Sequence, residues 1–382
     1  MVIMTQPTPL QPTPSQRLYS LDALRGFDMF WIMGGDELIR SIAKATGNSF
    51  WQGLADQMEH PAWNGLHFYD LIFPLFLFIA GVATPYSVGK AREKGTPRSE
   101  LVMRVVRRGL VLVLLGIIYN NGLRLHPWSE IRYGSVLGRI GLAYMFANLI
   151  YLYTKKQSTQ WIWFAGLLIG YWLLLAFNSA PGFPRGDLTM PGNFASYIDR
   201  SVMPGRLYLG IHDPEGLMST IPAISTGLLG ILAGQLLKNS PLSGGAKSVR
   251  LMLAGVVSIL LALAWNMVFP INKNLWTSSF VLCAGGISLI LLGLFYFIID
   301  VKGHRKWAFF FSVIGMNSIL IYLSGHFINW DYMTNGFFRW LVQLSARALG
   351  DPWSLVVFAI CLLAVKWVFL YILYRKKIFL RV

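Results

Sequence analysis

Apolar residues in this chain come in long runs, each closed by a short polar stretch. Windows of bilayer length fall at 21–39, 69–88, 101–119, 136–153 and 161–177, then at 217–237, 251–269, 276–299, 307–328 and 353–374. About 20 residues at 1.5 Å rise match a hydrocarbon core of roughly 30 Å, so each window is long enough to cross a membrane. "GFFRWLVQLSARALG" (336–350) is shorter, carries Arg339 and Arg347, and reads as an interfacial amphipathic helix. The pattern predicts an all-α, polytopic transmembrane bundle of about ten spanning helices plus one short interfacial helix. "GILAG" at Gly230 to Gly234 has the small-residue spacing that lets two such helices approach closely.

Composition agrees: of 382 residues 55% are hydrophobic, 14% aromatic and only 13% charged, which no ordinary soluble domain matches. The loops after the second, fourth, sixth and eighth runs hold Lys90, Arg92, Lys94, Arg98, Lys155, Lys156, Lys238, Lys247, Lys302, Arg305 and Lys306, and the tail holds Arg375, Lys376 and Lys377. The intervening loops are nearly charge-balanced. Basic loops stay in the cytoplasm, so both termini are expected there, and an eleventh span would put the basic tail outside. The net charge of +16 therefore reports topology rather than nucleic-acid binding. Residues 1–16, rich in Pro, Thr and Gln, read as a disordered tail and 17–382 as a single membrane domain. No cleavable leader is apparent in that tail, and a bacterial inner membrane is the expected location. Cys283 and Cys361 lie inside apolar runs, and no HxxxH or HExxH spacing points to a metal.

Ionisable residues inside spans are expensive and draw attention to themselves. Asp22, Arg25 and Asp28 are spaced as a ladder along one side of the first helix, a reading that needs only structural ion pairs. Arg104, Arg107 and Arg108 open the third span, either as snorkelling anchors or as a phosphate-binding mouth. Arg139 and Asp70 lie within apolar runs and need partners from elsewhere. On the outer side the topology gathers His60, Trp63 and Asn64, "HDPEG" at 212–216 and "PINKNLW" at 270–276, with Asp36 and Glu37 at the outer end of the first span. Singly, these residues pass for an interfacial histidine, an aromatic-belt tryptophan, a helix cap and turn residues. Together, an imidazole, carboxylates and an amine in one restricted place are the parts for proton or acyl transfer.

The chain resembles the heparan-α-glucosaminide N-acetyltransferase family of transmembrane acyltransferases. The resemblance is carried by "RLYSLDALRGFDMF" (17–30), "HPAWNGLHFYDLIFPLFLFIAG" (60–81), "HDPEGLMSTI" (212–221), "FPINKNLWTSSF" (269–280), "DVKG" (300–303) and "GMNSILIY" (315–322). It implies transfer of an acetyl group from cytoplasmic acetyl-CoA to an amino sugar or other glycan across the bilayer, with no metal. It also implies that the histidine before the Trp-Asn-Gly element, His60, is the acetyl-transfer residue. Where family members often have an asparagine, this chain has Asp36. The family's lysosomal enzyme carries a lumenal domain and an extra first helix, and the ten runs here correspond to the remaining core.

With that resemblance, His60 is expected to act as general base or as the nucleophile of an acetyl-imidazole. Asp36 and Asn64 would orient it or polarise the thioester carbonyl. Trp63, Asp213, Glu215, Asn272, Lys273, Asn274 and Asn317 would bind the acceptor or line its route. Arg25, Arg104, Arg107, Arg108 and Arg139 would hold the CoA phosphates. Besides acetyl-CoA, acceptor and lipid, a second copy of the chain is an open partner, while nucleic acid is not expected. The rival reading is a solute transporter without thioester chemistry.

Overall fold

The computed structural model describes residues 18–123 and 127–380, so the tail expected at 1–16 lies outside the described residues. Sixteen α-helices are present among them. They are α1 (Tyr19–Phe30), α2 (Asp36–Thr46), α3 (Ser49–Asp56), α4 (Ile72–Thr84), α5 (Lys90–Glu93), α6 (Arg98–Asn121), α7 (Val136–Tyr153) and α8 (Gln157–Phe177). The second half holds α9 (Phe194–Val202), α10 (Thr220–Asn239), α11 (Gly244–Asn266), α12 (Ser278–Phe295), α13 (Ala308–Met316), α14 (Ser318–Phe327), α15 (Trp330–Leu349) and α16 (Asp351–Arg375). Lipid offers the backbone no hydrogen-bond partners, so apolar runs must satisfy their own amides as helices. Polar side chains at the run edges start them: Ser135 caps α7 by accepting from Gly138 N–H, and Thr277 caps α12 by accepting from Phe280 N–H.

Seven helical segments are long and apolar enough to cross a bilayer, namely Phe68–Glu93, Val136–Tyr153, Gln157–Phe177, Thr220–Asn239, Gly244–Asn266, Ser278–Val301 and Asp351–Arg375. The pair α13 and α14, bent by 65° at Asn317, makes an eighth if it counts as one span. The protein is thus a polytopic membrane helix bundle. The other two expected spans correspond to α1 and α6. The run of α1 is interrupted by a π turn, Trp31–Gly35, where Gly34 takes φ 141°, a conformation open to glycine. Lys366 of α16 donates to Met33 O (2.7 Å) at this break. α6 carries Arg98, Arg104, Arg107 and Arg108 in its first half. The stretch expected as a short interfacial helix over 336–350 is instead the later part of the 20-residue α15, which packs against α16. The polar residues at its start, Asp331 and Asn335, hid that first turn from a hydropathy reading.

The centre of the bundle is α4, α7, α10 and α12, whose Leu77, Phe78, Ala143, Leu228 and Leu292 are fully buried. α4 and α10 cross closely: a Cβ on Gly230 would lie 2.1 Å from Phe78 O, so only glycine fits there. At the periphery, α11 turns Val256, Val257, Leu260 and Leu261 outward, as a lipid-facing helix should.

Candidate active site

His60 lies in the loop between α3 and α4, and local bonds give that loop its shape. Tyr69 N–H donates to Gln57 O (3.0 Å), and the His67 ring nitrogen meets Glu59 O (2.9 Å). A one-turn 3-10 segment, Phe68–Leu71, then leads into α4, with Asp70 accepting from His67 N–H (2.9 Å). Two further bonds tie this loop to the one between α11 and α12: Gly65 N–H donates to Ile271 O (2.9 Å), and Asn272 Nδ2 to Asn64 Oδ1 (3.0 Å). The tie brings Lys273 beside His60.

The result is a three-residue cluster. His60 Nδ1 lies 2.6 Å from Asp70 Oδ1, and Asp70 is fully buried while the His60 side chain is half exposed. Lys273 Nζ sits 3.0 Å from His60 Nε2, 3.2 Å from Nδ1 and 3.5 Å from Asp70 Oδ1. A buried carboxylate at Nδ1 favours the tautomer with its proton there, leaving the Nε2 lone pair toward Lys273 and the cavity. Burial pulls the Lys273 ammonium below its ordinary range, against the opposing pull of Asp70 and Glu215.

The cluster stands at the mouth of a cavity of about 530 Å³. Its rim is polar: His60, Lys273, Asn274, Arg132 and Glu215. Its depth is apolar, with Ile72, Phe73, Phe76, Leu137 and Ile140, and the stacked rings of Tyr119 and Tyr322 (4.7 Å) form one wall. Arg132 organises the rim. Its Nε and Nη2 donate to Asp213 (3.0 and 2.8 Å), Nη2 reaches Glu215 (2.5 Å), and its guanidinium lies 4.3 Å from the Tyr208 ring centre. Burial opposes the charge on Arg132, but the two carboxylates outweigh it and raise its pKa. Burial likewise opposes ionisation of Asp213, yet Arg132 and the Glu215 and Tyr208 N–H groups hold its carboxyl below the usual range.

The other expected outer residues support this rim from behind. Trp63 donates to Leu188 O (2.9 Å) and meets the His212 ring edge to face at 5.2 Å, packing these loops together rather than lining the cavity. Asn272 is buried, accepting from Leu275 N–H (2.9 Å) besides its bond to Asn64, while the hydrogen bonds of His60 among the described residues go to Asp70 and Lys273. His212 pairs with Ser196 Oγ (2.7 Å) in a fully buried setting, and burial pushes its pKa down to about 4. Asp199 accepts from Leu217 and Met218 N–H (3.0 and 3.2 Å), and burial pushes its pKa up to about 6. Asp36 pairs with Arg40 (3.3 Å) and does not line the His60 cavity, whereas Tyr69 does, its ring 5.3 Å from that of His60.

Two further cavities lie toward the opposite end of the bundle. One of about 630 Å³ is lined by Arg104, Arg107 and Arg108, together with Tyr144 and Leu380. The other, about 390 Å³, is lined by Asp22, Arg25, Arg108 and Leu380, and shares Phe76 and Ile319 with the His60 cavity. Four of the five expected arginines therefore gather on adjoining cavities, with Arg104 also paired to Glu100 and Arg25 to Asp22. Arg139 does not join them. It is buried near the His60 end, bonded to Ser219 Oγ and 4.9 Å from the Trp276 ring centre. The ladder of the first span is half built, because Asp28 is buried with no hydrogen bond among the described residues. Asn317, buried at the α13–α14 bend, donates to Ile378 O and accepts from Leu380 N–H, both at 3.0 Å.

Asp70 and Arg132 are the site residues that a reading of the sequence underrates. Asp70 carries a signal, an acid at the head of an apolar run ten residues after His60, but its partner depends on how the loop closes. Arg132 stands in a loop with no motif around it. Among the described residues, no group of three or more His, Cys, Asp or Glu could hold a metal ion.

No family model matches this chain. It is similar to heparan-alpha-glucosaminide N-acetyltransferase of Homo sapiens, 29% identical over 421 residues that cover 96% of this chain and 60% of the human protein. The Mus musculus protein of the same name is 29% identical over 425 residues, covering 97% of this chain and 62% of its own length. The chain thus spans about three fifths of the length of the curated relatives it matches.

Proposed function

We propose, from the chain's similarity to heparan-alpha-glucosaminide N-acetyltransferase, that it is a membrane-embedded acetyltransferase of that family with His60 at the site of acetyl transfer. The observation that carries this reading is the 2.6 Å bond from His60 to the buried carboxylate of Asp70 at the mouth of the largely apolar cavity. A base held in one tautomer by a buried acid is the arrangement that acyl transfer needs. The donor is acetyl-CoA and the acceptor an amino sugar or related glycan. The cytoplasmic side is the arginine-lined end, in keeping with the basic loops there, and His60 faces outward.

In the base route, the acceptor amine attacks the thioester carbonyl while Nε2 takes the amine proton. The tetrahedral intermediate then expels the CoA thiolate, which leaves as the thiol with that proton. In the nucleophilic route, Nε2 attacks the carbonyl and CoA leaves as the thiolate; the neutral amine then attacks the acetyl-imidazolium, the C–Nε2 bond breaks, and the proton the amine loses ends on the thiolate, giving amide, free imidazole and CoA thiol. Asp70 serves both, because each builds positive charge on the ring that the carboxylate stabilises. Lys273 must release Nε2 in either route, and its ammonium is then free to donate to the oxyanion of the intermediate. Glu215, Asn274 and Arg132 at the rim fit an acceptor's amine and hydroxyls. Arg104, Arg107 and Arg108 fit the donor's phosphates, and the apolar depth fits its pantetheine arm.

The test is release of free CoA from acetyl-CoA by purified protein with and without glucosamine, comparing wild type with His60→Ala. Acceptor-stimulated release lost in the variant is the expected result. Absence of thioester cleavage across amino sugars and glycans would overturn the reading. A burst of CoA without acceptor, stoichiometric with enzyme, would select the nucleophilic route.

A further inference from the structure

Beyond α16 the chain reverses. Lys377 takes a left-handed φ of 56°, and Ile378 N–H donates back to Leu373 O (2.9 Å), so residues 378–380 run back against the bundle. There Asn317 clasps them with both halves of its amide, donating to Ile378 O and accepting from Leu380 N–H, each at 3.0 Å. Asn317 is buried, and it sits where the helix bends by 65°. A buried amide with both groups used by one short segment is a specific seat, because any other arrangement would leave it unsatisfied. The seated segment then faces empty space. Leu380 is 41% exposed and lines both arginine-rich cavities, while Phe379 lines the one that adjoins the His60 cavity through Phe76 and Ile319.

We propose that residues 378–380, seated on Asn317, form a wall of the acetyl-CoA path, so that Leu380 touches the bound donor where it passes from the Arg107 side toward His60. The proposal rests on the acetyltransferase reading and extends it. The donor's phosphates engage Arg104, Arg107 and Arg108, and its arm then passes Leu380 and Phe379 to reach the cavity at His60. Asn317 acts through the segment it holds, as a positioning residue, and does not touch donor or acceptor. A purely structural latch of the tail would make the same two hydrogen bonds but would leave donor affinity alone.

Three variants of the full chain separate these. Leu380→Trp fills the partition and is expected to raise the acetyl-CoA KM by about tenfold, with kcat and the glucosamine KM within about twofold of wild type. Asn317→Ala frees the segment and is expected to shift the same KM by roughly three- to tenfold. In Leu380→Cys, free CoA is expected to slow labelling by a small maleimide at least about fivefold, a readout that needs no turnover. Wild type that binds CoA, with no protection of Leu380→Cys and a donor KM unmoved by Leu380→Trp, overturns the wall and leaves the enzyme reading intact. Wild type that binds no CoA overturns both. Loss of kcat with unchanged donor KM in both Leu380→Trp and Asn317→Ala assigns the segment to structure alone and also overturns the proposal.

Discussion

Replacing Asp70 by asparagine keeps the shape of the His60 cluster and removes its charge. The carboxylate now holds three partners: His60 Nδ1 at 2.6 Å, His67 N–H at 2.9 Å and the Lys273 ammonium at 3.5 Å. An amide can still accept from His67 N–H. It stabilises an imidazolium at Nδ1 far less, and if its NH2 turns to the ring, it forces the proton onto Nε2, the atom that must stay free. A hydrogen bond to a charged group contributes about 1.5–3 kcal/mol, which at 1.36 kcal/mol per decade is about 10- to 150-fold in kcat. Lys273 also loses its nearest carboxylate, so the upper end of that range is expected. The assay is steady-state CoA release with acetyl-CoA and glucosamine varied separately, run for wild type, Asp70→Asn, His60→Ala and the double variant. The fall should lie in kcat, and in the His60→Ala background Asp70→Asn should cost less than about threefold, since residues that act as a unit are not additive. A kcat within about threefold of wild type, or full additivity in the double variant, would refute the coupling.

Replacing Arg107 and Arg108 together by alanine should raise the acetyl-CoA KM about tenfold or more without moving the glucosamine KM; a shift in acceptor preference alone would remove them from the donor site. Arg132→Gln breaks a largely buried pair with Asp213 and Glu215, for which the roughly 3–5 kcal/mol of a fully buried pair is the upper bound, so thermal unfolding in detergent should fall by several degrees and the acceptor KM should rise. An unchanged melting temperature would contradict the role given to Arg132. Burial holds His212 at about 4, below the ordinary histidine value, so its neutral form favours the folded state. That stability is complete above about pH 6.5 and is lost as the pH falls toward 4, up to about 3 kcal/mol. Asp199, pushed up to about 6, works with the opposite sign, its share being lost as the pH rises through 6. His212→Asn should therefore flatten or invert the acid-side decline in melting temperature between pH 6.5 and 4.5, and an unaltered slope would place the titration elsewhere.

Hydropathy located the helices well because lipid leaves the backbone one local solution, and each run from 69–88 to 353–374 has a helix on it. It missed the break at Gly34 because "WIMGG" is apolar throughout, and two adjacent glycines were the only sign of it. The arginines of α6 drew attention because charge in an apolar run is costly, and they do line cavities. The histidine cluster was harder. His60 and Lys273 are 213 residues apart and meet through Gly65 N–H, Ile271 O and the Asn64–Asn272 pair, which carry no pattern along the chain. Asn317 reads as a polar residue on a route through the membrane, but the segment that occupies its amide lies 61 residues later in an unremarkable tail.

The glycine contact between α4 and α10 bears on how this protein can move. A backbone touching a neighbouring backbone, with no side chains between, leaves no soft layer to shear, so the two helices turn or shift only as a pair. Asp70 lies in the 3-10 turn that leads into α4, and α10 begins directly after Ser219, which holds Arg139. The histidine end is therefore mounted on a single stiff post. Alternating access by rocking one half of the bundle against the other would have to tear that post apart. The kinked α13–α14 arm and the α15–α16 hairpin lie outside this glycine seam, so any opening that admits small molecules falls to them rather than to the centre.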